Sequence, residues 1–305
     1  MSIAEIESTE LALNAPTGGL WREAWQRLRR NPGAIVGSIF VLTFIVVGIF
    51  APLIARYSPT EVDFNHLPLS CCPGPSSRYW FGQDEVGHDV YSRVIYGARL
   101  SLIVGVVSVC VGLSVGFVLG AIAGYVGGVV DTGIMRLMDV MLAIPGLLLA
   151  IGIVALELPI PRIYQIMIAV GVTNIPIFAR LLRGSILAQR ENDFVLAARA
   201  VGVRRPTILF GHILPNAISP VIVQATLALA TAIIDVAALG FLGLGPEDPA
   251  TPEWGNMLAS AQDYLSAQPL LAIFPGIAIV ITVLGFNLIG DALREALDPK
   301  LRGRV

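Results

Sequence analysis

Six runs of predominantly apolar residues punctuate the chain, near positions 33–56, 100–124, 134–157, 163–185, 216–241 and 270–291. Each reaches the ~20 residues that a helix needs to cross a hydrocarbon core. Within them, as from Ile35 to Phe50, polar residues do not alternate with apolar ones, which excludes the strands of a membrane barrel. Lipid offers the backbone no hydrogen-bond partner, so runs of this kind must satisfy their own peptide groups as helices. The pattern predicts an all-α membrane protein with six spans. Composition agrees: 55% of residues are hydrophobic, 14% are charged and the mean hydropathy is +0.76, against a charged fraction of about 25% in soluble domains.

Orientation follows from the basic residues in short loops rather than from the net charge of −2. With both termini in the cytoplasm, the inner side collects Arg22, Arg27, Arg29, Arg30, Arg136, Arg180, Arg183, Arg190, Arg199, Arg204, Arg205, Arg294, Lys300, Arg302 and Arg304. The outer side holds Arg56, Arg78, Arg93, Arg99 and Arg162, so the split is fifteen to five. Residues 1–18 carry Glu5, Glu7 and Glu10 and have no basic start followed by an apolar core, so the first span is expected to be an uncleaved anchor behind a disordered tail. In GLWREAWQRLRR, Trp21, Ala24, Trp25 and Leu28 form one stripe bordered by arginines, which predicts a helix lying in the inner interface. Asn31-Pro32 should break it before the first span.

In the second span Gly112, Gly116, Gly120 and Gly124 recur every four residues and form one small-residue face. Inside lipid such a face serves close helix packing, and Gly127-Gly128 should end the helix. Ionisable and amide groups inside spans are candidates for a pathway or gate. Asp235 is the clearest and reads as mid-span, either facing a pathway or meeting a buried partner. Asn174, Gln224, Thr226, Thr231 and Asn287 are milder candidates. Arg136 and Asp139, three residues apart near the cytoplasmic boundary, are expected to pair in a structural or gating role.

Three cysteines occur. Cys110 reads as a packing residue, and the adjacent Cys71 and Cys72 as unpaired or intermolecular thiols, since neighbours rarely bond to each other. His66 with this pair is a remote soft-metal candidate; His66, His88 and His212 lie far apart and form no metal-ligand motif, so no resident metal is expected. A phosphate-cradling loop needs a lysine before Ser or Thr, and the sole lysine, Lys300, precedes Leu301. No constellation for nucleophilic catalysis is evident, so the chain reads as no enzyme, with any ATP and Mg held by other subunits.

The loop between the fourth and fifth spans reads DFVLAARAVGVRRPTILFGHILP from Asp193 to Pro215. Asn192 or Asp193 can cap a short helix carrying Phe194, Leu196, Ala197, Ala198, Arg199 and Val201, and Gly202 can take the left-handed conformation that ends it. The apolar side chains can enter a partner's groove, while Arg199, Arg204 and Arg205 offer rim contacts. The stretch resembles the cytoplasmic EAA loop of membrane subunits of binding-protein-dependent ABC importers. Ala197, Ala198, Gly202, Leu214 and Pro215 stand at the expected offsets, with Leu196 in place of the Glu and His212 in place of the Ile.

A second stretch, Phe81 to Arg99, resembles the segment before the second span of dipeptide and oligopeptide permeases, with His88 where Arg is commoner. The Arg136–Pro145 segment and the later LGFLGLG, TPEWG, FPGIAI and NLIGDALREALDPKLRG stretches resemble the same branch, so the likeness covers about 30–303. It implies a six-transmembrane-helix type I ABC importer permease, MetI-like, with a cytoplasmic coupling helix. The organisation would be a cytoplasmic tail with an interfacial helix (1–32), a first transmembrane helix (33–56), an extracytoplasmic loop (57–97), a permease core of five spans (98–292) and a cytoplasmic tail (293–305). The resemblance also implies a homologous second permease as heterodimer partner, two cytoplasmic ATPases and an extracytoplasmic binding protein, in a bacterial or archaeal plasma membrane. Cargo would be dipeptides or oligopeptides, with nickel, glutathione or another small solute as the alternative. An ion-coupled secondary transporter is the rival from another class; it should show broken spans and midplane acids in repeated halves, and no internal repeat is found here.

Overall fold

A computed structural model describes residues 20–63, 71–156, 158–248 and 250–297. The acidic tail, His66, the side chain of Trp21 and the basic end with Lys300 lie outside the described residues. Among the described residues the chain is helical, with one isolated β-bridge between Gln83 and Asp89. The interfacial segment is helix α1 (Leu20–Arg30), in which Ala24 is buried, Trp25 is exposed and the Arg29 guanidinium lies 4.8 Å from the Trp25 ring centre. Asn31 ends α1 and begins α2 (Pro32–Ile49): its side-chain oxygen accepts from the Ala34 N–H, and Pro32 occupies the first turn, where no N–H is needed. The Asn31 amide also donates to Glu295 Oε2 at 2.8 Å, fastening the start of α2 to the far end of the chain's last helix.

A short α3 (Ala51–Ile54) leads to the outer segment, and α4 (Val90–Val126) runs back through the membrane. It is 37 residues long, ~55 Å at 1.5 Å per residue, far beyond a ~30 Å core. The Asp89 carboxylate caps it by accepting from the Ser92 N–H at 2.9 Å, so the helix begins ten residues before the apolar run and takes the last eight positions of the segment expected to be loop up to 97.

The expected third span, 134–157, is not one helix. It is α5 (Gly128–Ala143) followed by α6 (Gly146–Val154), bent by 89°. The cause is local. Pro145 excludes the helical conformation at Ile144, which is extended at φ −91° and ψ 127°, and Pro145 supplies no N–H to continue the ladder. Among the described residues five helices are long and apolar enough to cross a membrane, and the bent pair makes six if it counts as one span. The remaining elements are α7 (Arg162–Arg190), α8 (Asp193–Ala200), α9 (Arg205–Ile208), α10 (Leu214–Ala217), α11 (Ser219–Leu239), α12 (Trp254–Ala261) and α13 (Leu270–Leu297). Wide π-type turns at Leu209–Ile213 and Gly240–Leu244 flank α11 at its two ends.

The bundle is organised around α4 and α7. A methyl group added at Gly112 would lie 2.6 Å from the Gly171 carbonyl oxygen, one at Gly116 2.7 Å from the Ile175 carbonyl oxygen and one at Gly120 2.5 Å from the Ala179 carbonyl oxygen. The two backbones therefore touch over three turns, with Gly124 continuing the seam against Ile186. From the seam the apolar core continues along Phe178, Leu182 and Ile186 to Val195 and Ile213. A second core gathers Phe44, Val94, Trp254 and Phe286.

Gly116→Val should separate the two helices and cost about 1–3 kcal/mol, the usual range for forced overpacking. Gly133→Val, on α5 with no atom within 4 Å of the added carbon, is the control. Thermal unfolding in detergent should show a lower midpoint for Gly116→Val and little change for Gly133→Val.

Candidate functional site

The C-terminal end of α7 is braced before the chain leaves it. Arg190 donates to the Gly124 carbonyl at 2.9 Å, closing the end of α4 onto the end of α7. Arg183 grips Asp131 of α5 through two bonds of 2.8 and 2.6 Å, and Arg180 bonds Asp139. Asp139 thus pairs across helices with Arg180 rather than with Arg136, because the turn that brings α5 beside α7 presents the acid to its neighbour and not along its own helix. Ion pairs as open as Arg180–Asp139 contribute about 1 kcal/mol or less, so they fix orientation while the glycine seam supplies most of the cohesion.

Two residues past this brace stands α8. Asn192 has the extended backbone of a cap position, but its amide donates to Gln189 Oε1 at 2.8 Å, and neither Asn192 nor Asp193 caps through its side chain. The other end is closed fully. Gly202 has φ +80°, its N–H reaches the Arg199 carbonyl at 3.0 Å, and the Val203 N–H reaches back to the Ala198 carbonyl at 3.0 Å. That pair of bonds is the Schellman closure, which satisfies two orphan carbonyls and turns the chain sharply.

The closure gives the element two faces. Val195 and Ala198 point into the core with Val203, Ile208, Leu209, Ile213 and Leu214. Phe194, Leu196, Ala197 and Val201 face outward with Arg199, Arg204 and Arg205, and Pro215 is exposed beside them. Val201 is 80% and Phe210 69% exposed. Phe210, in the π-type turn through Leu209–Ile213, is a further exposed aromatic that the spacing did not single out. Ala198 lies against the stalk, so of the adjacent alanines only Ala197 is available to a partner.

The span candidates separate into different settings. Asn174 is buried in the α4–α7 seam, its Cβ 2.7 Å from the point where a Gly112 methyl would sit and its amide donating to the Val170 carbonyl at 2.9 Å. It is therefore a packing residue and not a pathway group. Thr226 and Thr231 bond carbonyls of their own helix, Ile222 and Ala228. Gln224 and Asp235 on α11 and Asn287 on α13 are half-buried. Asp235 stands 16 residues beyond Ser219 on a helix prolonged to Leu244, ~24 Å along it. That is within about 6 Å of the centre of the Ser219–Leu244 span, on the side of α12.

In the segment between α3 and α4, Cys71 and Cys72 are bonded to each other, not free or intermolecular. Both have left-handed backbones, φ 57° and 54°, which is the local turn that lets neighbouring sulfurs meet. Asp84 accepts from the Val86, Gly87 and His88 N–H groups and contacts the His88 ring at 2.9 Å. Burial works against the charge of Asp84, yet His88 and the nearby Arg93 hold its carboxyl below the usual value. Among the described residues no group of three or more His, Cys, Asp or Glu side chains is arranged to hold a metal.

At the end of the bundle away from α8, α12 forms an elbow wedged between α4 and α11. The Trp254 indole N–H donates to the Val94 carbonyl at 3.0 Å and the ring fills the hollow over Gly97, while Gly255 lies against the backbone of Ala237. Glu253 is buried beneath Gly240 and accepts from the Gly255 and Asn256 N–H groups at 2.9 and 2.8 Å. Burial pushes its carboxyl up to about 7, only partly offset by those two bonds. A carboxyl inside TPEWG was legible as a cap, but nothing in the spacing announced that it would be enclosed.

Residues 116–303 match the family described as binding-protein-dependent transport system inner membrane component, and residues 19–69 match the N-terminal TM domain of oligopeptide transport permease C. The chain is 48% identical to a dipeptide transport system permease protein of Alkalihalophilus pseudofirmus, over 92% of this chain and 90% of that one. It is 45% identical to a di/tripeptide transport system permease protein of Pseudomonas aeruginosa, over 92% of each. It is 46% identical to a glutathione transport system permease protein of Escherichia coli, over 93% of this chain and 91% of the relative. In three dimensions it aligns with a chain of the inward-facing MetNI methionine ABC transporter at a TM-score of 0.55 and 19% identity, over 68% of this chain and 96% of that chain, a likeness of fold.

Because the Glu253 carboxyl rises from 4.5 to about 7 in the folded chain, the folded state holds its proton longer than the unfolded one. Stability from this group is therefore present below about 4.5 and is lost as pH rises toward and past about 7. The unfolding midpoint of the native chain minus that of Glu253→Gln should fall between pH 5.5 and pH 8; a difference that stays constant over that window would contradict the assignment.

Proposed function

The chain belongs to the family of binding-protein-dependent transport system inner membrane components, and from that premise we propose that it is the membrane subunit of an ATP-driven importer of dipeptides and short oligopeptides. The observation that carries the mechanical part is α8: a short helix closed at Gly202, seated on the braced end of α7 and offering an outward apolar cap. An isolated helix of eight residues is marginal in water. Seated as it is, it acts as a rigid knob whose displacement must displace α7.

Two cytoplasmic ATPases would grip this knob and its counterpart on a homologous second permease, and would carry the ATP and Mg. The apolar side chains Phe194, Leu196, Val201 and Phe210 suit a hydrophobic groove, while Arg199, Arg204 and Arg205 suit an acidic rim. Closure of the ATPases would move the two knobs together, and the spans would rock between inward-open and outward-open states. An extracytoplasmic binding protein would deliver cargo at the outer elbow. This subunit forms about half the pathway and breaks no bond itself. Both termini lie in the cytoplasm on this reading, in a bacterial or archaeal plasma membrane.

A second cargo reading rests on a specific observation, the 46% identity to a glutathione permease. Glutathione is itself a small peptide, so the two readings share one pathway chemistry and differ in the receptor.

Two measurements test the proposal. The reconstituted complex should hydrolyse ATP faster when its binding protein is loaded with a dipeptide; stimulation by a loaded metal ion and not by peptide would overturn the cargo. Gly202→Val should strain the left-handed closure by about 1–2 kcal/mol, leaving hydrolysis running while uptake falls severalfold. Gly202→Asn, which tolerates that backbone, should restore most coupling, and equal coupling in all three forms would remove the knob from the mechanism.

A further inference from the structure

Helix α11 is packed on two sides and open on a third. One side buries Val221, Ala228, Ala232 and Val236 in the core shared with α4 and α7. Another buries Ala230 and Ile233 in the second core, with Leu227 closing over Gly290 of α13. At 100° per residue the sector left between them contains Gln224, Thr231 and Asp235, whose spacings of seven and four residues hold them within about 40° of one another. Thr231 is exposed and the other two are half-buried. Thr226, by contrast, falls on the opposite side, in an apolar groove of about 610 Å³ between α4 and α11.

The chemistry of this open sector differs from that of the other open faces. Helix α2 presents Ile35, Ile39 and Leu42, and α13 presents Ile277, Val280 and Leu284, which suit lipid tails. A carboxylate, an amide and a hydroxyl in line do not, since ionisable groups within spans face a cavity or a partner. Among the described residues, no ion pair or hydrogen bond reaches the Asp235 carboxylate. An uncompensated acid in a membrane calls for a cation that is not part of this chain.

Resting on the function proposed above, we propose that Gln224, Thr231 and Asp235 form a guiding stripe along the pathway, in which Asp235 receives the ammonium group of the passing cargo. Dipeptides, tripeptides and glutathione, the cargoes named for the related permeases, share one cationic feature, a free α-ammonium group. Gln224 and Asp235 are eleven residues apart, ~16 Å along the helix, whereas an extended tripeptide spans ~10 Å. The cargo is thus too short to bridge the stripe. It meets the acid first, on the side of α12, and the amide later, which suits a passage site that must release what it binds.

The test uses the whole complex, with both permeases, the ATPases and the binding protein, in proteoliposomes supplied with a radiolabelled dipeptide. Asp235→Asn should lower uptake at limiting dipeptide roughly tenfold, the scale of one lost bond to a charged group, with assembly and receptor-stimulated hydrolysis retained. Asp235→Glu should recover most of the rate, and Thr226→Val, on the opposite side, should leave it unchanged. Uptake by Asp235→Asn within twofold of the native rate would overturn the proposal. So would loss of assembly in that variant, which would mark an interface with the second permease, or an equal defect in Asp235→Glu. If the native complex moves no dipeptide, the function proposed above falls and the stripe with it. Native uptake with an undiminished Asp235→Asn defeats the stripe alone.

Discussion

The structure depends on how closely α4 and α7 approach. Three successive glycines of α4 lie where any side chain would meet a carbonyl oxygen of α7. In lipid there is no hydrophobic gain in bringing two apolar helices together, so cohesion must come from packing, and backbone contact gives the largest packing area per turn. Everything at the α8 end inherits its position from this seam: Arg190 ties the two helix ends, Arg183 and Arg180 draw in α5, and α8 follows the last turn of α7.

The end away from α8 is built by a different device. There α12 is wedged between α4 and α11 by an indole over one glycine and a carboxyl beneath another. Helix α11 therefore joins the two devices. One end follows the π-type turn beside the knob, and the other runs into the π-type turn whose Gly240 lies against Glu253. Wide turns of this kind recur at functional sites in helices, and here one lies on either side of α11.

Much of this was legible in the residues. Six apolar runs announced the spans, and the four-residue repeat of glycine announced a packing face. Gly202 announced a left-handed stop, because no other residue type suits one so well. What escaped depended on contacts between distant segments or on register. The 89° bend of the third span was written in Ile144-Pro145, yet its apolar run is continuous and hydropathy does not register a break. Asn174 reads as a polar group in a span, and only the proximity of Gly112 shows it enclosed. The Arg136–Asp139 spacing was right for a pair within one helix, but Arg180 offers a partner from outside it. Cys71 and Cys72 meet because two left-handed residues follow each other, which cysteine has no propensity to signal.

The central claim is that α4, α5, α7 and α8 move as one body. Spin labels at Val129 and Val201, both largely exposed, in a Cys110→Ala background, test it by the distance between them in the whole complex without nucleotide and with ATP bound and hydrolysis blocked. The account predicts that this internal distance stays constant, while that from Val201 to a label on the second permease's coupling helix changes. An internal distance that changes as much as the one between subunits would contradict it.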